Sequence, residues 1–322
     1  MSNRVLLFLT TASLAAAIGC GGPPHTPGEK YYLVVPNLKS PYWDQVKAGL
    51  DKAAKDLNVH ASMIGDETFD PKLQAENFKR IAAMKPAGIM VSPADPALIG
   101  PAIDAAIAAG TPVITVDSDA PESKRLFFVG TNNFEAGQLG GRTAAKELNG
   151  KGNVVAILTA SQQNMQNRLQ GYRSVFEGYP QIKIVEVVDM KGDPKLAFDK
   201  AMDLVDKADA FISMDGQSAK EVAEVLKRKN AKGKVVIAMD TLAPTLEAIE
   251  SGFITATIAQ KPFSMGYVGL RMLCDLELNK LPSLNIDFTH NPNSPLPEYV
   301  DTGLSLVTKA NLAEYRSSSG VK

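Results

Sequence analysis

The sequence predicts an α/β protein built as two doubly wound parallel-sheet lobes, and three observations carry that prediction. Short β-branched runs alternate with longer stretches of helical periodicity, and the alternation begins afresh near residue 154. A chain of 322 residues is also long enough for about two domains.

The first set opens with a strand at Tyr31–Val35 and a helix at Tyr42–Leu57. A strand at Val59–Ile64 and a helix at Pro71–Met84 follow, then Ile89–Ser92, Ala97–Ala109 and Val113–Val116 repeat the unit. Phe127–Val129 adds a fifth strand. Alternation of this kind implies a parallel sheet with right-handed crossovers and helices on both faces. The second set reads Val154–Leu158, Gln166–Glu177, Ile182–Val188, Pro194–Val205 and Ala210–Ser213. Ala219–Lys229, Val235–Met239, Thr245–Glu250 and Ile254–Ile258 complete it. Prolines at Lys85-Pro86, Thr111-Pro112, Tyr179-Pro180 and Asp193-Pro194 punctuate the ends of elements. A long helix at Phe263–Leu278, a Pro-rich loop around Asn291–Pro297, and a short strand and helix close the chain.

The N-terminus bears on compartment. One Arg precedes an apolar run from Val5 to Ile18, too short to span a bilayer comfortably and suited to the central region of a secretory signal. Small residues lead into a cysteine, Ala17-Ile18-Gly19-Cys20, which resembles the lipobox of bacterial lipoproteins. The resemblance implies a signal peptide over residues 1–20, lipidation of Cys20 and a Gly/Pro-rich tether over residues 21–30. The mature protein is thus expected in the periplasm or at the cell surface, held to a membrane by lipid. Cys274 alone remains in the body, as a small buried hydrophobe.

Composition narrows the function. Hydrophobic residues at 45% and charged residues at 21% exclude a disordered chain. A net charge of −1 provides no field to gather nucleic acid, and Lys227-Arg228-Lys229 reads as a solvated helix end. No nucleophile elbow, P-loop or H-E-x-x-H run is present, and His25, His60 and His290 lie far apart, so the chain is read as a binding protein without a catalytic centre. Asp117 and Asp119 could share a cation, but no third ligand is in view, and neither metal nor cofactor is expected.

Ligands of open parallel sheets bind beyond the carboxyl ends of the strands. Ser40-Pro41-Tyr42-Trp43 follows the first strand, Asp117-Ser118-Asp119 the fourth, and Asp215, Asp240 and Gln260 follow strands of the second set. Acids and amides at repeated strand ends suit a polyhydroxylated molecule, since each can make several hydrogen bonds, while flat rings cover apolar C–H faces. Each Asp could equally be a helix N-cap, and Tyr42, Trp43 and Arg168 could be packing or surface residues.

Taken together these residues resemble the ribose-binding branch of the periplasmic sugar-binding proteins that feed ABC importers. The likeness covers Tyr31 to Leu312. It is carried by Ser40-Pro41-Tyr42-Trp43, Pro112-Val113-Ile114-Thr115-Val116-Asp117, Gly130-Thr131-Asn132-Asn133 with Ala136-Gly137, Arg168-Leu169-Gln170-Gly171-Tyr172, Asp240, and Ala256-Thr257-Ile258-Ala259-Gln260. It implies a periplasmic-binding-protein type I fold with a three-segment hinge near Thr131–Asn133, Gln260–Pro262 and Val300–Thr302. The first lobe would then hold residues 31–131 with 261–300, and the second 132–260 with 301–322. It implies stacking by Tyr42 and Trp43, hydroxyl acceptance by Asp117, and polar contacts from Arg168, Asp240 and Gln260. The partners implied are a monosaccharide or polyol and a membrane permease, with the protein acting as a monomer. The alternative is a sensor lipoprotein that presents its closed form to a membrane receptor.

The departures from the family pattern also carry information. Ser118 stands where ribose binders place an Arg, Asp215 where they place an Asn, Ser40 for an Asn, and Gly192 near a lost aromatic. These changes imply a roomier, more acidic pocket for a different or larger monosaccharide, a polyol, or an amino-bearing ligand paired with Asp215 or Asp119. Asp117→Ala or Arg168→Ala is expected to abolish binding with the fold intact.

Overall fold

A computed structural model describes residues 25–284, 286–288 and 291–319; Cys20 and His290 lie outside them. Its first sheet contains β1 (Lys30–Val34), β2 (His60–Ile64), β3 (Gly88–Val91), β4 (Val113–Val116), β5 (Phe128–Gly130) and β11 (Tyr299–Asp301). The second contains β6 (Lys151–Leu158), β7 (Gln181–Asp189), β8 (Ala210–Ser213), β9 (Val235–Met239), β10 (Ala256–Ala259) and β12 (Ser305–Thr308). The spatial orders, β11-β5-β4-β3-β1-β2 and β12-β10-β9-β8-β6-β7, correspond strand for strand. All neighbours are parallel except β10 and β12. Strands such as β3, β4, β8 and β10 are buried at every residue, because helices cover both faces of each sheet.

The helices are α1 (Tyr42–Leu57), α2 (Pro71–Ala83), α3 (Pro96–Ala108), α4 (Asn133–Glu147) and α5 (Gln163–Phe176). They continue with α6 (Pro194–Leu204), α7 (Gly216–Arg228), α8 (Ala243–Ser251), α9 (Pro262–Leu278) and α10 (Leu312–Ser319). Three start on one device. Asp70, Asp95 and Asp193 each accept hydrogen bonds from first-turn N–H groups, and a proline follows where no N–H is needed. Among the described residues no helix is long and apolar enough to cross a membrane.

One helix has no counterpart in the sequence expectation. Gly137, Gly140 and Gly141 lower the helical propensity of α4, but Asn132 caps it by accepting from the N–H of Glu135, and its glycines admit a neighbour. A Cβ on Gly137 would lie 2.0 Å from the carbonyl oxygen of Arg168, and one on Gly171 would lie 2.2 Å from that of Phe134. Helices α4 and α5 therefore touch backbone to backbone. The same contact recurs between α1 and α9, where a Cβ on Gly49 would lie 2.0 Å from the carbonyl oxygen of Phe263 and one on Gly266 2.1 Å from that of Val46.

The chain passes from one sheet to the other between β5 and α4, between β10 and α9, and between β11 and β12. Val300 and Asp301 still pair with Val129 and Gly130, so the last passage occupies residues 302–304, slightly beyond the expected Val300–Thr302.

Candidate functional site

The carboxyl ends of the two sheets face one another across a cavity of about 70 Å³. Ser40, Tyr42, Trp43, Asp117, Arg168, Asp215, Asp240 and Gln260 all line it. Ser118 does not: its side chain is fully buried beneath the strand end, and its Oγ has no hydrogen-bond partner among the described residues.

Corresponding turns place two of the acids. Asp117 ends β4 with φ 63°, and Asp240 ends β9 with φ 68°. An aspartate tolerates this left-handed conformation better than most residues. Each N–H still bonds the adjacent strand, Asp117 to the carbonyl of Val129 at 3.1 Å and Asp240 to that of Ile258 at 2.9 Å. The turn thus redirects the side chain without breaking the sheet.

Asp117 accepts from the hydroxyl of Tyr42 at 2.7 Å, from Ser92 Oγ at 3.0 Å and from Asn164 Nδ2 at 3.5 Å. A carboxylate has about four acceptor sites, so one remains for a ligand. Asp240 accepts from Gln260 Nε2 at 2.7 Å and from the N–H of Gly216 at 3.2 Å. Asp215 caps α7 through the N–H of Ser218 at 2.7 Å, which explains why α7 starts at Gly216 rather than at the expected Ala219. The Ser218 N–H occupies Oδ1 only, and acceptor sites remain on the carboxylate for a ligand. The N-cap reading and the cavity-lining reading of Asp215 are therefore both true of it.

Arg168 is the cation of the cavity. Its guanidinium donates to Asn133 Oδ1 at 2.9 Å, to the carbonyl of Met214 at 2.6 Å and to Gln260 Oε1 at 3.1 Å. Five donors less these three bonds leave two N–H groups. Because those partners sit on α4, after β8 and after β10, Arg168 also ties the second lobe together. Replacing it with Ala would strip partners from buried groups, so the expectation of an untouched fold holds poorly for this residue.

Burial pushes the carboxyls of Asp117 and Asp240 upward, with the Arg168 charge opposing. Burial does the same to Asp215, opposed by the Ser218 hydrogen bonds. Desolvation and the Asp117 charge push the Tyr42 phenol well above its usual range, so it remains a donor.

Asp119 is elsewhere employed. It forms a buried ion pair with Arg125, with Nη2 2.6 Å from Oδ2, and accepts from Thr115 Oγ1 at 2.5 Å. It does not line the cavity, shares no site with Asp117, and is not available to an amino group on a ligand. The pocket is not opened by the loss of an aromatic near Gly192 either, because Phe69 of the first lobe packs there.

Asn37, Phe69, Gln162, Asn164 and Gln217 also line the cavity, and the sequence reading did not select them. Only Asn164 carried a usable signal, one helical turn before Arg168 on the same face. Contacts across the cleft show the lobes closed on each other: Ser161 Oγ donates to the carbonyl of Ala94 at 2.8 Å, and Asn164 reaches Asp117. A larger cavity, about 660 Å³, lies at the opposite end of the first sheet, beside Lys30, Ala87 and Pro112. It sits at the amino ends of the strands, where parallel sheets do not place ligands.

The profile of the periplasmic binding protein domain family matches residues 31–280. The D-allose-binding periplasmic protein of Escherichia coli K12 is 26% identical over 285 residues, covering 84% of this chain and 88% of that protein. GanP, a glucose-galactose binding protein from Geobacillus stearothermophilus, superposes with a TM-score of 0.80 at 28% identity, covering 88% of this chain and 98% of that one. AraP, an arabinose binding protein from the same species, superposes with a TM-score of 0.72 at 32% identity, covering 90% and 99%.

Proposed function

The chain belongs to the periplasmic binding protein domain family, and from that premise we propose that it captures a monosaccharide or related polyol and delivers it to an ABC permease. Solute binding, rather than catalysis, is the common property of the family and of its similar relatives. One observation carries the sugar assignment. Strand-end acids and amides of both lobes converge, beside aromatic rings, on a single cavity between the lobes.

Asp117 and Asp215 offer acceptors to hydroxyls, Arg168 offers its two remaining N–H groups, and Tyr42 and Trp43 cover the apolar face of the sugar ring. A ligand that touches both lobes favours the closed form by the contacts that only this form provides. The moving units are residues 31–131 with 261–301, and 132–260 with 302–319, the boundary following β11.

A thermal-shift panel of pentoses, hexoses, polyols and amino sugars tests the reading. A ligand at a hundred times its Kd adds ~2.7 kcal/mol, which is a rise of roughly 4 °C for a protein of this size. A flat panel would sink the sugar reading. The relatives place the family outside the cytoplasm, and we assign membrane attachment to lipid on Cys20. In fractionated cells Cys20→Ser should move the protein from membrane to soluble fractions. Retention of that variant in the membrane would overturn the anchor.

A further inference from the structure

Among the described residues, every ring that lines the cavity comes from the first lobe: Tyr42, Trp43 and Phe69. Against them the second lobe sets polar groups, a few aliphatic side chains and a bare backbone turn at Gly192. Phe69 sits between β2 and α2, directly before Asp70, the residue that caps α2. A Cβ built on Gly192 would lie 2.5 Å from Phe69 Cγ, 2.6 Å from its Cδ1 and 2.7 Å from its Cβ. No side chain fits there without displacing the ring.

The turn beneath the ring is held in place. Lys191 and Gly192 have φ of 52° and 75°. The N–H of Gly192 donates to Thr159 Oγ1 at 3.1 Å, and that of Lys191 to Asp189 Oδ1 at 3.0 Å. Gly192 is thus required twice, by its backbone conformation and by the ring above it.

We propose that Phe69 is a specificity-determining residue whose ring seats on the Gly192 turn as the cleft shuts, capping one end of the cavity over the bound sugar. The proposal rests on the sugar-binding reading and deepens it. Because Phe69 and Gly192 belong to different lobes, their contact exists only in the closed form. It therefore slows release rather than entry. The ring also sets how far a ligand can extend toward the turn, so a smaller side chain should admit longer ligands.

The sole tryptophan, Trp43, lines the cavity and is 4% exposed, so its emission can follow binding and release. The probes are D-allose, D-ribose, D-arabinose and D-galactose, added to the full chain. With any probe that the unaltered protein binds, Phe69→Ala should release it at least about tenfold faster, with association changed by less than about threefold. It should also flatten the preference among the four probes, and Phe69→Tyr should restore slow release. A residue that merely filled space would not produce that split between the rates. Unchanged release and selectivity in Phe69→Ala would overturn the proposal and leave the sugar reading standing.

If the unaltered protein answers to none of the probes, the sugar reading fails, and the closing contact is judged alone by F69C/G192C. The 2.7 Å between the Gly192 Cβ position and Phe69 Cβ is about 1 Å short of the ~3.5–4.5 Å spacing of a disulfide, so the two turns must part by about that much, with the phenyl ring gone, for the bond to form. In a Cys20→Ser background, mild oxidant should join the lobes and change the migration of the chain on a non-reducing gel, without help from the fully buried Cys274. Thiols that stay free in the folded double variant would overturn the contact and the proposal with it.

Discussion

Asp117→Ala should weaken binding of whichever sugar the unaltered protein takes by roughly 10- to 200-fold. The carboxylate is 5% exposed and faces the cavity with an acceptor site to spare. A hydrogen bond to a charged group contributes about 1.5–3 kcal/mol, and the one acceptor site left on this carboxylate puts one such bond at stake. The truncation also leaves the Tyr42 phenol and Ser92 hydroxyl without their partner. Titration calorimetry reads the loss, and a melt of the sugar-free variant separates it from unfolding. Affinity within tenfold of the unaltered protein would remove Asp117 from the site.

Gly137→Ala should be the most damaging small substitution in the second lobe. Its Cβ would lie 2.0 Å from a backbone carbonyl of α5, and a backbone cannot step aside as a side chain can. Overpacking of that severity costs about 3 kcal/mol or more, lowering the melting temperature by roughly 5 °C or more. Helix α5 carries Arg168, so displacing it should also degrade binding in whatever protein remains folded. Gly141→Ala is the matched control on the same helix. Its Cβ would meet the side chain of Val175 at 3.0 and 3.2 Å and Tyr172 Cα at 3.4 Å, contacts that a shift of a few tenths of an ångström relieves. Equal melting of the two variants would show that α4 and α5 do not depend on the close approach.

What could be read from the chain follows from how locally each feature is encoded. Strands β4, β8 and β9 match their sequence limits, because burial on both faces writes them as unbroken apolar runs. Helix α1 matches because its amphipathic period is uninterrupted. Helix α4 escaped notice because its three interior glycines argue against a helix until the neighbour they admit is known. Within the site, Asp117, Asp240 and Gln260 were legible as residues that end strands of a parallel sheet. Ser118 was misplaced because the left-handed turn at Asp117 sends the following residue beneath the strand end. Asp119 looked available because its partner, Arg125, is joined to it by folding rather than by any local pattern. Phe69 belongs to the other lobe from the turn it covers, and nothing in its own neighbourhood announces that contact.

The paired glycine contacts have a consequence for the order in which the protein can be completed. Helix α4 follows the strands of the first lobe but packs in the second, while α9 follows those of the second and packs in the first. A chain growing from its N-terminus thus has α4 ready when α5 arrives, and once β10 is made the second lobe lacks only its edge strand β12 and α10. The surface of α1 around Gly49 stays uncovered until Gly266 has been synthesised. The lobe encoded first is therefore left incomplete, with an apolar helix face open throughout the making of β6 to β10. During that interval the growing chain is most exposed to misassociation, and a chaperone would find its longest-lived target on the N-terminal half.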